Sequence, residues 1–154
     1  MKIEDVQKIL QKEGFSPNLE GRGHLSFYAR GDIFHIATEE GDDEYISIFK
    51  ELRVHAGAQS HADLLEAANQ AGCSIKCVKC MVRRDGEDVR VRVAVEGFMD
   101  SFGFRVQFGR TLEAVTSAVA AFYENLPDVG ETASSELGML RLDASAPMKA
   151  AQNI

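Results

Sequence analysis

Three cysteines within one short segment have the spacing in this chain that is closest to a chemical motif. Cys73, Cys77 and Cys80 form C-x3-C-x2-C, the spacing of iron–sulfur clusters in radical enzymes that use S-adenosylmethionine. Such a cluster needs three thiolates that converge from a loop. The pattern around Cys77 and Cys80 instead predicts a strand, which sends these two side chains to opposite faces. We therefore expect buried or half-buried thiols, with redox sensing or a zinc site completed by His61 as the alternatives.

The four histidines and the longest acidic run show no ligand pattern in the sequence. His24, His35, His55 and His61 are spread over predicted strands, a loop and a helix start. A Cys–His pair for nucleophilic catalysis would have to be assembled by tertiary contacts. The acidic run at 39–44 lacks the ligand spacing of an EF-hand loop and is typical of a solvated turn. The sequence predicts no catalytic residue, no metal and no cofactor.

Arginines are concentrated on the second predicted hairpin, at Arg83, Arg84, Arg90 and Arg92. This pattern predicts a soluble outer face of a sheet, and a docking patch for an acidic partner is the functional interpretation. An RNA-associated role is an alternative. It is disfavoured because no aromatic residue alternates with these cations to stack a base.

Four phenylalanines lie within a short stretch before the last predicted helix. Three of them alternate with glycines and polar residues between 102 and 108, so an extended segment there would present one aromatic edge. Core packing is one interpretation, and a surface for self-association or client binding is the other. The predicted partner-binding residues are Phe98, Phe102, Phe104, Phe108, Arg90 and Arg92.

These residues must be positioned by elements that the hydrophobic pattern predicts. Apolar residues recur at helical spacing in three segments and alternate in five others, and short turns join neighbouring strands. Ser60 and Asp63 have the spacing of a capping box at the start of the second helix. The predicted helices span about residues 3–12, 60–72 and 111–126, and the strands about 23–29, 33–37, 45–54, 75–84 and 89–95.

Short hairpin turns require antiparallel pairing, and helices must cover one face of such a sheet to bury their apolar sides. The prediction is an α+β domain over residues 1–127 with an antiparallel sheet of about five strands and three helices, in the order α-β-β-β-α-β-β-α. Residues 128–154 lack aromatics and predict a flexible tail.

Composition narrows the classes of function. With 17 Lys plus Arg against 24 Asp plus Glu, the net charge is -7, and such a surface repels phosphate backbones and anionic membranes. Acidic residues at 4 and 5 stand where a signal peptide needs cations and an uninterrupted apolar run. No stretch approaches the roughly 18 apolar residues of a membrane span. Three clustered cysteines make no disulfide framework, so we expect a cytoplasmic protein.

Two segments and the order of elements resemble the YbjN family. The segments are 64–70 leading into the 73–82 strand, and 89–98, and the resemblance covers residues 1–126. It implies a fold of the type III secretion chaperone-like kind and a non-enzymatic, protein-binding or regulatory module that is often dimeric. From it we expect a homodimer with a protein partner, acting through hydrophobic and sheet-edge contacts without nucleic acid or membrane.

Overall fold

The computed structural model describes residues 1–55, 59–86 and 88–127. The predicted flexible tail at 128–154 lies outside the described residues. In chain order the elements are α1 (Ile3–Lys12), β1 (Asn18–Gly21), β2 (His24–Ala29), β3 (Asp32–Glu39), β4 (Asp42–His55), α2 (His61–Ser74), β5 (Lys79–Asp85), β6 (Asp88–Phe98) and α3 (Ser101–Glu124).

The strands form one antiparallel sheet in the order β1-β2-β3-β4-β6-β5. The predicted α+β class and its antiparallel sheet are confirmed, but the sheet has six strands where the sequence pattern predicts about five. The additional strand is β1, a four-residue edge strand whose residues are all exposed. Because none of its side chains is buried, β1 shows no apolar alternation that sequence reasoning could detect.

The three helices pack together over one face of the sheet. Helix α1 contacts β2 and α3, α2 contacts β5 and α3, and α3 contacts β4 and β6. Beneath them, alternate strand residues form the apolar core, in which a fully buried Leu or Phe contributes about 1.5–3 kcal/mol relative to an exposed one. The strand residues of this core include Leu25, Phe27, Phe34, Ile36, Ile46, Ile48, Leu52, Val89, Val91 and Val93.

Helix α1 ends as its sequence predicts. Gly14 has a φ of +88°, and the N–H of Phe15 donates to the carbonyl of Leu10 at 3.0 Å. The N–H of Gly14 donates to the carbonyl of Gln11 at 3.1 Å, which completes a Schellman motif. The ring of Phe15 then packs edge-on against Phe27, with 5.6 Å between the ring centroids.

Helix α2 starts as predicted but ends later. Asp63 donates its backbone N–H to the Ser60 hydroxyl at 3.1 Å and accepts the Ser60 N–H at 3.2 Å, so the capping box is present. The helix continues past Gly72 to Ser74, and β5 therefore begins at Lys79 instead of residue 75. Leu65 of α2 is 47% exposed.

Helix α3 begins ten residues before its predicted start. Asp100 is its N-cap and accepts the N–H of Gly103 at 2.7 Å. The alternation at 102–108, which predicts an extended segment, lies in this helix, because Phe104 and Phe108 are also one helical turn apart and both reach the core. Gly103 and Gly109 lower the helix propensity of the segment and hide its helical period. Within the described part of the chain, no helix combines the length and apolarity needed to cross a membrane.

Candidate functional site

The face of the sheet opposite the helices, here called the open face, carries the polar and aromatic side chains. The strand residues that alternate with those of the core point to it, among them His24, His35, Phe49 and Arg92. Phe49 and Ala94 are buried and yet do not belong to the apolar core cluster. The two faces therefore bury side chains by different means.

Phe49 is only 3% exposed because polar groups surround its ring. The imidazoles of His35 and His24 stack on it, with 5.3 Å and 5.9 Å between the ring centroids. The guanidinium of Arg92 lies 4.1 Å from the ring centroid, within the range of a cation–π contact. The ring of Phe49 on β4 thus organises two imidazoles from β2 and β3 and a cation from β6.

Glu51 neutralises the arginines beside this ring. Arg92 donates Nε–H to Glu51 Oε1 at 3.1 Å and a second N–H to the same oxygen, and Arg90 Nη1 lies 3.8 Å from Glu51 Oε2. Burial acts to raise the pKa of Glu51, but the hydrogen bond and charge of Arg92 outweigh it and hold that pKa below its ordinary value. Two of the predicted partner-binding residues, Arg90 and Arg92, are therefore positioned by a carboxylate of the same sheet.

A carboxylate and two imidazoles converge at the β1 end of the open face. Glu20 Oε2 lies 3.8 Å from His24 Nδ1 and 3.9 Å from His35 Nδ1. One potential ligand atom from each of these residues lies within 4.8 Å of the other two. We call Glu20, His24 and His35 the Glu–His–His cluster. Sequence reasoning did not assemble it, since its members lie in three different strands.

The strand register explains the convergence. Ser26 pairs with His35 and His24 with Ala37, so the two histidines are diagonal neighbours on the same face. The register between β1 and β2 shifts between Leu19 and Gly21, which makes Glu20 the additional residue of a β-bulge. The turn at Arg30-Gly31 was a usable sequence signal for the pairing of the two histidines, because it fixes the register between β2 and β3. No sequence signal marked the bulge at Glu20.

The corner between β1 and β2 is held by a close backbone contact. Thr38 donates its N–H to the carbonyl of Gly23 at 2.8 Å. Gly23 has a φ of +68°, and a Cβ there would lie 2.8 Å from the Thr38 carbonyl oxygen. Only glycine fits this position, which immediately precedes His24.

The imidazoles of the cluster are partly withdrawn from water. His24 Nε2 and His35 Nδ1 are buried and have no hydrogen-bond partner among the described residues. Burial lowers the pKa of His35. The negative charge of Glu20 acts to raise this pKa, and the neighbouring His24 acts to lower it further. The neutral form of His35, with a free ring nitrogen, is therefore favoured near neutral pH.

The cysteines do not form a comparable group. Cys73 lies in α2 and is exposed; Cys77 precedes β5, has a φ of +65° and is also exposed. Cys80 is half-buried in β5, and burial raises its pKa. The prediction that Cys77 and Cys80 share a strand is thus wrong, as is that of burial for Cys73 and Cys77. In the described residues the three sulfurs do not come together as a set of metal ligands.

The four phenylalanines divide into two pairs. Phe104 and Phe108 pack in the core with 5.1 Å between their ring centroids, so a partner cannot reach them and they are removed from the predicted partner-binding set. Phe98 is 72% exposed and Phe102 75%. Val106, one helical turn after Phe102, is 62% exposed. We call Phe98, Phe102 and Val106 the exposed aromatic stretch.

Comparisons with known proteins find similarity at the level of structure. No family model and no curated protein matches the sequence. The crystal structure of YbjN from E. coli, described as a candidate transcription regulator, matches with a TM-score of 0.64 at 15% identity, over 82% of this chain and 95% of that one. An uncharacterized protein from Methanothermobacter thermautotrophicus matches with a TM-score of 0.50 at 18% identity, over 81% of this chain and 94% of that one. The chain has a YbjN-like fold.

Proposed function

We propose that this chain is a non-enzymatic, protein-binding module of the cytoplasm, regulatory or chaperone-like, which self-associates and binds its partner through the exposed aromatic stretch. The observation that carries the proposal is the exposure of Phe98 and Phe102 beside two buried phenylalanines of the same segment. Large exposed apolar groups are typical of contact surfaces, and aromatic residues dominate the binding energy of many interfaces.

The energetics favour such a contact. Covering an exposed phenylalanine contributes about 1.5–3 kcal/mol, and Phe102 and Val106 can be covered together because they are one helical turn apart. Phe98 extends the contact toward the sheet, where Tyr45 already packs edge-on against its ring at 6.1 Å between centroids. The stretch thus offers an aromatic side chain at the end of β6 and an apolar edge of α3.

The aromatic stretch is better supported than the edges of the sheet. The strand β1 is short, and β5 carries Lys79, Arg83 and Arg84, which oppose the addition of another strand. A regulatory role is supported by the similarity in fold to YbjN. Direct contact with nucleic acid is disfavoured by the net charge of -7 and by the pairing of Arg92 with Glu51.

Sedimentation velocity of the full chain tests the proposal. At tens of micromolar, we expect a dimer for the wild type and a monomer for Phe102→Asp, because a buried carboxylate in the contact has no partner. Leu65→Asp is the matched control: Leu65 is an exposed apolar residue on α2, outside the stretch, and this variant should remain a dimer. Circular dichroism should show the same helix content in all three proteins.

A capture experiment extends the test to other proteins. Immobilised wild type and Leu65→Asp should retain the same protein from a cytoplasmic extract, and Phe102→Asp should not. A monomeric wild type, together with an absence of any retained protein that depends on Phe102, would contradict the proposal.

A further inference from the structure

We propose that the Glu–His–His cluster is a zinc site, in which Glu20, His24 and His35 supply three ligands and leave further coordination positions open to water or to a ligand atom from a bound molecule. This inference is independent of the proposed function. It rests on the type of the donors, on their separations, on the unsatisfied nitrogens and on the way the strands present these three side chains.

The donor set is one that Zn²⁺ prefers. Imidazole nitrogens and carboxylate oxygens are common zinc ligands, and two histidines with one glutamate are the protein ligands of several open zinc sites. Structural zinc sites have four protein ligands, whereas three protein ligands are typical of sites that bind a further molecule. The chemistry of the cluster therefore favours a site that exchanges its remaining ligands.

The separations are too long for hydrogen bonds and close to those expected across a metal. Glu20 Oε2 lies 3.8 Å from His24 Nδ1 and 3.9 Å from His35 Nδ1. Two ligands at about 2.0–2.2 Å from a tetrahedral metal are about 3.4 Å apart, so these two separations would each have to shorten by about 0.5 Å, and all three ligand atoms already lie within 4.8 Å of one another. The half-exposed side chain of Glu20 on the edge strand can make this movement.

One ring nitrogen of each imidazole lacks a hydrogen-bond partner, and a bound ion would supply a partner for that of His35. Its Nδ1 is buried without a hydrogen bond, although a carboxylate oxygen of Glu20 lies 3.9 Å away. A buried polar atom without a partner costs about 1–3 kcal/mol. A metal held between Glu20 and His35 would satisfy this nitrogen.

The surrounding sheet holds the ligands in place and tolerates a divalent charge. The ring of Phe49 stacks on both imidazoles and fixes their planes. The bulge directs Glu20 toward them, and bulges are frequent at sites where a side chain has to be re-aimed. The nearest cation, Arg92, is neutralised by Glu51, so its repulsion of a metal is reduced.

Titration of the purified, tag-free full chain with zinc chloride tests the inference. After dialysis against a chelator, competition with a zinc-sensitive dye should show one equivalent of bound Zn²⁺. Glu20→Gln, His24→Gln and His35→Gln should each weaken binding about tenfold or more, since each removes one of three protein ligands. Zinc at a hundredfold excess over its Kd should raise the Tm of the wild type by about 5 °C or more, and that of these variants by about half as much or less.

Two controls separate this site from other zinc ligands of the chain. The variant Cys73→Ser/Cys77→Ser/Cys80→Ser and the variant His61→Gln should bind zinc as the wild type does. Replacement of zinc by Co²⁺ should give visible d–d absorption without the intense near-ultraviolet band of cobalt–thiolate charge transfer.

Glu20→Gln is the decisive variant, because no residue of β1 is buried and the substitution leaves the core unchanged. Zinc affinity that is unchanged in this variant would overturn the inference. Substoichiometric binding by the wild type, or binding that is lost in the triple serine variant, would also overturn it.

Discussion

Phe34 and Phe49 lie on neighbouring strands of one sheet, and both are withdrawn from water, at 1% and 3% exposure. Phe34 belongs to the apolar core under the helices and stacks with Phe27 at 5.9 Å between centroids. Phe49 lies on the open face, where two imidazoles and a guanidinium cover it. Phe34 is thus buried within the apolar core, with Lys50 Nζ 5.6 Å from its ring centroid, whereas Phe49 is buried outside that core by ionisable groups.

This difference indicates a division of roles between the two faces. The helix-covered face is filled mostly by apolar side chains, and its buried Lys50 pairs with Asp32. The open face is not covered by any helix of the described residues. There the ring of Phe49 holds side chains that can bind protons, carboxylates or a metal. Stability is expected to depend mostly on the covered face, and specific chemistry on the open face.

The largest expected effect compares the two phenylalanines directly. Phe34→Ala should lower the free energy of unfolding by about 4 kcal/mol, because the rigid core cannot close the resulting cavity. Phe49→Ala should lower it by about 2 kcal/mol, because the long side chains of the open face can move into the space. Urea titration measures both values, and equal losses would remove the distinction between the faces.

The next effect concerns the ion pair on the covered face. Lys50 is almost fully buried and Asp32 is its carboxylate partner. Asp32→Asn, which retains the oxygen that accepts the N–H of Ile33, should cost about 2 kcal/mol, less than for a fully buried pair because Asp32 is half-exposed. In a Lys50→Met background the same substitution should cost little. A cost that is independent of Lys50 would show that the pair does not stabilise the protein.

A smaller effect is expected from the carboxylate of the open face. Glu51→Gln should cost about 1 kcal/mol at pH 7, because the arginines lose their counter-charge while neutral hydrogen bonding remains. The pKa of Glu51 is lowered in the folded state, so its contribution is fully present above the unfolded pKa of about 4.3 and is lost as the pH falls through the folded value. The difference between wild type and variant should therefore shrink below about pH 4. A difference that stays constant down to pH 2.5 would contradict this assignment.

The smallest expected effect concerns the rates at which the three thiols are chemically modified. Burial raises the pKa of Cys80, whereas Cys73 and Cys77 are exposed. Iodoacetamide at pH 8 should modify Cys73 and Cys77 first and Cys80 most slowly, since the thiolate is the reactive form. Peptide mass spectrometry over time gives the three rates. Faster modification of Cys80 would indicate that β5 opens readily.

The sequence predicts the elements that bury an apolar side and little of what lies on the open face. Helix α1, the capping box at Ser60 and five strands follow from periodicity and local hydrogen bonding. The strand β1 has no buried residue and therefore gives no signal. In α3, Phe104 and Phe108 are four residues apart, a spacing that fits both the alternation of a strand and one turn of a helix. The prediction of an extended segment was wrong.

The candidate sites were also hard to predict from the sequence, because they depend on how the elements are placed relative to one another. Phe98 and Phe102 were predicted from the clustering of four phenylalanines. Phe98 ends β6, and Phe102 is separated from the buried pair by the helix phase, which depends on where α3 begins. The Glu–His–His cluster depends on pairing between strands and on a bulge, which are tertiary properties. The cysteine spacing resembles a cluster motif, and separate thiols were expected because a strand was predicted over Cys77 and Cys80, whereas β5 begins only at Lys79.

Oxidation of side chains by hydroxyl radicals, measured by mass spectrometry, tests the central claim that the exposed aromatic stretch is a contact surface. Tyr28 is an exposed aromatic residue at the β2–β3 turn and serves as the internal reference. As the protein concentration rises from below one micromolar to tens of micromolar, oxidation of Phe98 and Phe102 should fall several-fold relative to that of Tyr28. If both phenylalanines remain as reactive relative to Tyr28 at every concentration, with and without a captured partner, the stretch is not a contact surface.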